Sequence, residues 1–359
     1  MKQFNDIFRK SFELDASDIH FKAGNFVSMR IHGDLVKLQE FGILKAEDTR
    51  ELAEIVLNKK QLDKLDENWN IDAAYGVKDV GRFRMNFFYQ RGTIAAAARR
   101  IPTDIPHLDE LNLPDVVKKT AMLARGLVLV TGITGSGKST TIASIVNLIN
   151  RTFPKNIITI EDPIEYLFHD DKSIISQREI GNDVLDFNIG LKAALREDPD
   201  VIVIGEMRDR ETVETALLAA ETGHLVISTL HTLNATETIN RIISTFPLDN
   251  ADSVRNQIAG VLEAVISQRL IRRSDKPGMI PAVEILLATE HIKECIIDQS
   301  KTGDITHVIE IGHTEYGTQT FDQSIFELYQ SGFISREEAI TNVSNRTDFE
   351  LKLSGITKG

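Results

Sequence analysis

The sequence predicts an α/β fold with a parallel sheet, preceded by a smaller α+β domain. Three observations support this prediction. In the second half of the chain, short apolar runs alternate with stretches that have helical spacing. A glycine-rich motif of the phosphate-binding type follows the first of these runs, and a proline-containing stretch separates this half from the residues before it. Short buried strands that alternate with helices are typical of a parallel sheet with helices on both faces.

The N-terminal 100 residues have the pattern of a small α+β domain. Residues near 27–38 and 82–98 alternate in polarity or run apolar, which favours strands. The segments near 3–14 and 47–65 have apolar residues at helical spacing and charged outer faces, which favours helices. We therefore expect one domain that spans residues 1–100.

A linker and a second, larger domain are expected to follow. Pro102, Pro106 and Pro114 interrupt regular structure within residues 101–114, which indicates a linker. Residues 115–359 then form the larger domain, whose C-terminal part has helical patterns separated by glycines. The strands expected in this domain are Leu127–Val130, Ile157–Ile160, Val201–Ile204 and Leu225–Ser228.

Composition and charge restrict the class of protein. The 359 residues carry 41 Lys and Arg against 53 Asp and Glu, which gives a formal net charge of −12. Proteins that hold nucleic acids concentrate positive charge to neutralise phosphates, so nucleic acid is not an expected partner. The single cysteine, Cys295, allows neither an internal disulfide nor a thiolate-rich zinc site. The N-terminus lacks an export signal and no apolar run has the length of a membrane span, so we expect a cytoplasmic protein.

Residues Gly132–Ser139, with the sequence GITGSGKS, match the phosphate-loop motif G-x-x-x-x-G-K-[ST] without a break. Small residues allow consecutive backbone N–H groups to turn toward phosphate oxygens, and the helix that follows presents its positive N-terminal end. Lys138 can reach the β- and γ-phosphates, and the Ser139 hydroxyl can bind Mg²⁺. The motif predicts a nucleoside triphosphate site, whose expected phosphate-contacting residues are Thr134, Gly135, Ser136, Gly137, Lys138, Ser139 and Thr140.

Carboxylates follow two of the expected strands, where an α/β sheet places its catalytic groups. Glu206 comes after Val201–Ile204 and Gly205, and Glu161 comes directly after Ile157–Ile160. Hydrolysis needs a carboxylate to hold Mg²⁺ or to orient the attacking water. Because Gly205 occupies the position of the usual aspartate, Glu206 is predicted to polarise the water. Glu161 is a candidate ligand of Mg²⁺, directly or through water, and a solvated carboxylate at a strand end is the alternative for both residues.

Histidines flank another expected strand. His224 precedes Leu225–Ser228, and His231 follows it. Taken alone, the pattern favours a structural role for each histidine over a role in nucleotide chemistry.

Four motifs occur in the order that is typical of the type II/IV secretion ATPase superfamily. They are the phosphate loop, the acidic segment TIEDPIE at 159–165, the segment DPDVIVIGEMRD at 198–209 and the segment TGHLVISTLHT at 222–232. Within that superfamily the chain most resembles the type IV pilus retraction ATPases, the PilT family, through these motifs and through ASDIHF at 16–21. The similarity extends from about residue 14 to about residue 340. It implies a RecA-like P-loop core preceded by a PAS-like domain.

The resemblance also implies how the protein works. Members of the family are homohexamers that hydrolyse ATP with Mg²⁺ and act on an inner-membrane pilus platform protein, so the expected location is the cytoplasmic side of that membrane. Arginines of their N-terminal domain reach the phosphates, and here Arg82 and Arg84 lie on one face of an expected strand. The same resemblance assigns Glu161, His224 and His231 to the site, the histidines as sensors of the γ-phosphate.

The expected function is therefore retraction of type IV pili, which drives twitching motility. Three other functions stay open: pilus assembly or type II secretion by the same chemistry, a RecA-like translocase of nucleic acid, and a regulatory module that binds nucleotide without hydrolysing it. Many assembly and type II secretion members carry a longer N-terminal region and a four-cysteine zinc insertion, which we do not expect in this protein, so no zinc is expected. The chain differs from the retraction family in one segment that bears on whether the motor retracts or extends the pilus. Glu290–Ile297 takes the place of the family's retraction signature and lacks its two arginines.

Overall fold

The computed structural model describes residues 2–353 and divides the chain into two units. Unit 1 is Met1–Asp104 together with Pro163–Leu167, and unit 2 is Ile105–Asp162 together with Phe168–Gly359. The sequence pattern does not predict that the short segment Pro163–Leu167 belongs to unit 1. Within unit 1 this segment is joined to the chain before it by a hydrogen bond from the Leu167 N–H to the Pro102 carbonyl, at 3.2 Å.

Unit 1 is an antiparallel sheet with helices, in keeping with the α+β pattern of its sequence. In its described residues six strands pair in the order β3-β2-β1-β6-β5-β4. The strands are β1 (Ala16–Lys22), β2 (Phe26–Ile31), β3 (Asp34–Ile43), β4 (Asn70–Val77), β5 (Gly81–Gln90) and β6 (Thr93–Arg100). The helices are α1 (Lys2–Glu13), α2 (Ala46–Val56) and α3 (Lys59–Asn68).

The core of unit 1 fixes which way the side chains of β5 point. Phe83, Met85 and Phe87 are fully buried, and the Phe83 ring lies 4.6 Å from the ring of Phe8 on α1. Because side chains alternate along a strand, Arg82 and Arg84 lie on the opposite face of β5. Arg84 is exposed there, and Arg82 is partly buried.

Unit 2 contains a mostly parallel sheet, which confirms the predicted fold class. Its described residues form seven strands in the order β13-β12-β7-β11-β10-β8-β9, and only the pair β12–β13 is antiparallel. The four expected strands are present and are joined by β9 and by the β12–β13 hairpin, which were not expected. The bounds are β7 (Gly126–Thr131), β8 (Asn156–Glu161), β9 (Ile174–Glu179), β10 (Val201–Ile204), β11 (Leu225–Leu230), β12 (Leu262–Arg272) and β13 (Met279–Leu287).

Helices cover both faces of this sheet. Alternate residues of β7 enter two different cores, with Leu127 and Leu129 on one side and Val128 and Val130 on the other. No helix within residues 2–353 has the length and apolar character needed to cross a membrane. The α-helices of unit 2 are α4 (Val116–Thr120), α5 (Lys138–Thr152), α6 (Phe187–Ala194), α7 (Arg210–Glu221), α8 (Ala235–Ser244), α9 (Ala251–Val261), α10 (Glu290–Ile297), α11 (Ile305–Ile311), α12 (His313–Tyr316), α13 (Phe321–Gln330), α14 (Arg336–Asn342) and α15 (Arg346–Leu353). Short 3₁₀ helices occur at Leu108–Leu111, Leu248–Asn250 and Gln299–Asp304.

A buried carboxyl joins β13 to the start of α8. Glu284 is 5% exposed, and its Oε1 accepts a hydrogen bond from the Ala235 N–H at 2.7 Å. Burial raises the pKa of Glu284 to about 7, although this hydrogen bond and the charge of Arg269 favour the ionised form. The folded chain therefore binds a proton at Glu284 over a pH range in which the unfolded chain has already released it.

We expect the Glu284→Gln substitution to reduce the pH dependence of stability between about pH 4.5 and pH 7. A carboxyl whose pKa is raised by folding stabilises the fold below its unfolded pKa, and this contribution is lost as pH rises through the folded pKa. If Glu284 alone titrates over this window, its contribution to the free energy of unfolding changes by about 3 kcal/mol. The glutamine stays neutral and keeps an acceptor for the Ala235 N–H. The free energy of unfolding of the variant, measured with urea, should therefore vary less with pH than that of the wild type.

The exposed Glu221→Gln substitution on α7 is the matched control, and it should leave the pH profile unchanged. Parallel profiles for the wild type and Glu284→Gln would contradict the assignment of this titration to Glu284.

Candidate nucleotide-binding site

The phosphate loop of unit 2 connects β7 to α5 and depends on glycines with left-handed backbone angles. Gly132, Gly135 and Gly137 have φ values of 139°, 79° and 93°. A Cβ on Gly132 would lie 2.5 Å from the carbonyl oxygen of Gln268 and 2.6 Å from the Ser136 Oγ. A side chain is therefore excluded there by close neighbours as well as by the backbone angle.

Lys138 lies over the loop that it follows in sequence. Its Nζ donates hydrogen bonds to the carbonyls of Gly132, at 2.8 Å, and of Ile133, at 3.0 Å. Burial lowers the pKa of Lys138, and the nearby charge of Glu206 opposes that shift. A partly desolvated cation held by loop carbonyls is well placed to exchange them for phosphate oxygens, which are stronger acceptors.

The other predicted phosphate contacts surround this lysine along the loop and the first turn of α5. Thr134, Gly135 and Ser139 are exposed, and Thr140 is partly buried. Ser136 differs from them because only 2% of its surface is exposed.

The carboxyl ends of β8, β10 and β11 bring acidic and basic side chains together. Glu206 is 8% exposed and lies between Arg208, whose guanidinium contacts its Oε1, and His231, whose Nε2 is 3.4 Å from its Oε2. The hydrogen bond to Glu206 raises the pKa of Arg208. A nearly buried carboxylate is thus compensated by two basic side chains, as a charge of low solvent access requires.

The neighbouring strand positions Glu161 through polar contacts. Its Oε1 accepts hydrogen bonds from the Thr159 Oγ1, at 2.6 Å, and from the Gln177 Nε2 on β9, at 3.0 Å. Two donors on one oxygen fix the orientation of this carboxylate.

Close packing explains why glycine precedes Glu206. The Gly205 N–H donates to the Ile160 carbonyl at 2.8 Å, and a Cβ on Gly205 would lie 3.3 Å from that oxygen and 3.4 Å from the Glu161 Cα. An aspartate at this position would press on the end of β8. The carboxylate on this strand end is therefore supplied by the next residue, Glu206.

The structure brings Lys138, Glu206 and His231 together at one edge of the sheet of unit 2. His224 lies at the opposite edge, because the whole of β11, about 20 Å long, separates it from His231. There its Nδ1 contacts the Ala219 carbonyl at 2.8 Å, and its own carbonyl accepts the Gly126 N–H. Its predicted role as a sensor of phosphate keeps only the sequence resemblance as support.

Several contacts of the site had no sequence signal. Gln177 belongs to β9, which no motif marks, and Arg208 contacts Glu206. Asp209 caps α7, where its Oδ1 accepts the Thr212 N–H at 2.9 Å. The predicted arginines, Arg82 and Arg84, lie on β5 of unit 1.

The residues of the site fit Mg²⁺ bound together with a nucleotide. Within the described residues, no group of three or more His, Cys, Asp or Glu side chains could hold a metal ion. Mg²⁺ bound with a nucleotide usually takes one or two protein oxygens and completes its shell with phosphates and water. The Ser139 hydroxyl and the Glu161 carboxylate are hard oxygen donors of the required kind.

A strand, a phosphate loop and a helix, with a carboxylate at the end of a neighbouring parallel strand, define a P-loop nucleoside triphosphatase with a RecA-like core.

Residues 107–295 match the family model described as Type II/IV secretion system protein. The chain is 38% identical to the type IV pilus ATPase PilU of Pseudomonas aeruginosa, over 98% of this chain and 91% of that protein. It is 43% identical to a twitching motility protein of Neisseria gonorrhoeae, over 88% and 84%. A crystal structure of the pilus retraction motor PilT with bound ADP superposes with a TM-score of 0.87 at 46% identity, over 96% of this chain and 98% of that one. The chain is an ATPase and belongs to the type IV pilus retraction ATPase family, PilT.

We expect the Lys138→Gln substitution to weaken nucleotide binding at least tenfold, because it removes the positive charge that pairs with the phosphates. Glutamine retains a donor for the carbonyls of Gly132 and Ile133, so the empty loop should keep its conformation. Calorimetric titration with ADP measures the change. The exposed Lys119→Gln substitution in the same unit serves as the control and should leave the affinity unchanged. Equal affinities for wild type and Lys138→Gln would contradict the assignment.

Proposed function

We propose that this chain forms a homohexameric motor that hydrolyses ATP to retract type IV pilus filaments, and that Glu206 is its catalytic carboxylate. The observation that carries the chemical part is the contact of Glu206 with both His231 and Arg208 beside the phosphate loop. Membership of the PilT family supports the mechanical part. The partner expected from that membership is the inner-membrane platform protein of the pilus, and neither nucleic acid nor zinc is an expected partner.

The phosphates of ATP bind in the loop 132–139. Backbone N–H groups of the loop and the N-terminal end of α5 contact the phosphate oxygens. Lys138 exchanges the carbonyls of Gly132 and Ile133 for the β- and γ-phosphates. Ser139 and Glu161 would hold Mg²⁺, Glu161 directly or through water, and the ion when bound neutralises charge on the β- and γ-phosphates.

Glu206 orients and polarises the water that attacks the γ-phosphate in line. Its burial strengthens its electrostatic interactions, and the contacts with Arg208 and His231 orient the carboxylate. His231 is half exposed, so it can contact both Glu206 and a γ-phosphate. Loss of that phosphate changes the partners of His231 and signals hydrolysis to the loop that follows β11.

Arg82 and Arg84 of unit 1 contact the phosphates when the hexamer is loaded with ATP. Their positions on one face of β5 and their correspondence to family arginines support this role. Guanidinium groups suit the spread of charge over a transferring phosphoryl group. Contact with the nucleotide in turn couples hydrolysis to movement of unit 1.

Pilus assembly is the second candidate, and the sequence of α10 favours keeping it. The family signature of retraction has two arginines, whereas Glu290–Ile297 has none. The two directions are distinguished in a strain whose own retraction ATPase is deleted. A retraction motor lowers the amount of surface pili and restores twitching, and an assembly motor does neither.

Glu206→Gln should bind ATP with nearly unchanged affinity but turn it over at least about 100-fold more slowly, because the amide does not polarise water as a carboxylate does. Phosphate release by the purified protein measures turnover, and the oligomer mass is read on the same samples. Glu214→Gln, an exposed carboxylate of α7, is the matched control and should turn over normally.

A hexamer whose Mg²⁺-dependent turnover is lost in Glu206→Gln supports the proposal. A monomer without turnover, or turnover indifferent to this substitution, contradicts it. Stimulation of the wild type by DNA in a strongly salt-dependent way would favour the translocase instead.

Arg84→Gln should lower turnover by on the order of 1,000-fold, as expected for an arginine that stabilises the transition state. Arg84 is exposed, so the substitution should leave the unfolding midpoint unchanged. Arg30→Gln, an exposed arginine on β2 of the same sheet, controls for loss of charge from unit 1. Equal losses in Arg84→Gln and Arg30→Gln would argue against a specific clamp.

A further inference from the structure

Strand β12 continues past the end of β7 and lies against the phosphate loop. The two strands are parallel, with Ser267 of β12 opposite Thr131 of β7, and the hydroxyls of this pair are 2.9 Å apart. β12 extends to Arg272, whereas β7 ends at Thr131 and turns into the loop. On the side of β12 that faces away from β13, residues from Gln268 onward therefore lie beside the loop rather than beside β7.

Two side chains of β12 form a wall next to the loop. The position of a Cβ on Gly137 would be 3.8 Å from the Leu270 Cδ2 and 4.0 Å from the Gln268 Nε2. Residues 268 and 270 share one face of the strand because side chains alternate. The backbone of Gln268 is also close to the loop, since its carbonyl oxygen restricts Gly132 to glycine. Gln268 thus flanks both ends of the segment that turns around the phosphates.

The amide of Gln268 is buried beside this loop without being fully satisfied. Gln268 is 2% exposed, and its Oε1 has no hydrogen-bond partner in the part of the chain that the structure describes. The Ser136 Oγ, also buried, likewise has no partner within residues 2–353. Buried polar atoms without partners are uncommon, so each one calls for an explanation. One of these atoms is an acceptor and the other can donate, and both belong to residues that lie close to Gly132.

The hydrogen bonds of Lys138 indicate why these two atoms are left over. Its ammonium donates hydrogen bonds to the carbonyls of Gly132 and Ile133, so Lys138 is bound to the loop itself. Phosphate oxygens are stronger acceptors than these carbonyls and are also bound by backbone N–H groups of such loops. A neutral amide beside the loop can hold a phosphate-binding conformation without repelling phosphate.

We propose that Gln268 is a positioning residue for the phosphate loop, whose amide oxygen accepts a hydrogen bond from the Ser136 hydroxyl when nucleotide occupies the site. This inference rests on the proposed function only in so far as the loop binds nucleotide. Gln268 acts through Ser136 and does not contact the reacting atoms. The contact stabilises the loop conformation in which Lys138 and the backbone N–H groups face the phosphates.

Titration of the full chain with ADP tests the proposal, because ADP binding does not require turnover. Gln268→Leu should weaken ADP binding about tenfold, the effect of one lost buried hydrogen bond. Gln268→Glu should weaken it further, since it places a carboxylate beside the phosphates. In ATP turnover the loss should appear mainly in KM, because the contact is made in the ground state as well as in the transition state.

A double-substitution cycle separates this role from ordinary packing. Ser136→Ala should weaken ADP binding as Gln268→Leu does, and the combined variant should be no weaker than the weaker single variant, because both remove the same contact. Gln319→Leu is the matched control. Gln319 is also a buried glutamine of unit 2, but its Nε2 donates to the Val283 carbonyl at 3.0 Å. Its loss should lower the unfolding midpoint and leave ADP affinity unchanged.

Unchanged ADP affinity in Gln268→Leu and Gln268→Glu would overturn the proposal, as would strictly additive effects in the cycle. If Gln268→Leu does not fold, Gln268→Glu and Ser136→Ala give the same decision from the two sides of the contact. Failure of the proposed function looks different: the wild type would then bind ADP, with the predicted response to these substitutions, and yet release no phosphate from ATP.

Discussion

The register of the central parallel strands is the constraint on which the site depends. Ile204 of β10 is opposite Ile160 of β8 and Ser228 of β11, so the chain leaves these strands at the same edge of the sheet. β7 is in register with β11 and ends there as well, and its next residues form the phosphate loop. A cation on the loop, carboxylates after β8 and β10 and a histidine after β11 meet because apolar strands align them. The burial of these strands thus determines the geometry of the chemistry.

Burial of Glu206 then sets the electrostatics of that edge. A nearly buried carboxylate is tolerated because Arg208 and His231 both contact it, and because the charge of Lys138 is close. Gly205 contributes to this arrangement, since a Cβ there would lie 3.3 Å from the Ile160 carbonyl oxygen and 3.4 Å from the Glu161 Cα, a tight fit against the end of β8. Packing thereby explains why glycine occupies the position of the usual aspartate. The glycine allows two strand ends to approach and moves the carboxylate by one residue.

Local motifs and long-range pairings differed in how well the sequence predicted them. The sequence predicts the phosphate loop, the position of Glu206 and the four central strands, because each depends on a short pattern of residue types. The wall formed by Gln268 and Leu270 was not, since nothing in residues 262–272 indicates that β12 pairs beside β7. Gln177 was missed for the same reason. His224 is assigned to the site by the family resemblance alone, and β11 separates it from His231 at the opposite edge of the sheet.

Direction of work has to be sought outside the nucleotide site, because assembly and retraction ATPases share the chemistry of that site. A continuous set of packed elements leads away from Glu206. Its partner Arg208 immediately precedes the Asp209 cap of α7, α7 packs on α9, and α9 packs on α10. Arg255 of α9 is buried and donates to the carbonyl of Ile296 at the end of α10, at 2.8 Å. This set of contacts ends at α10, the helix in which this chain departs from the retraction signature.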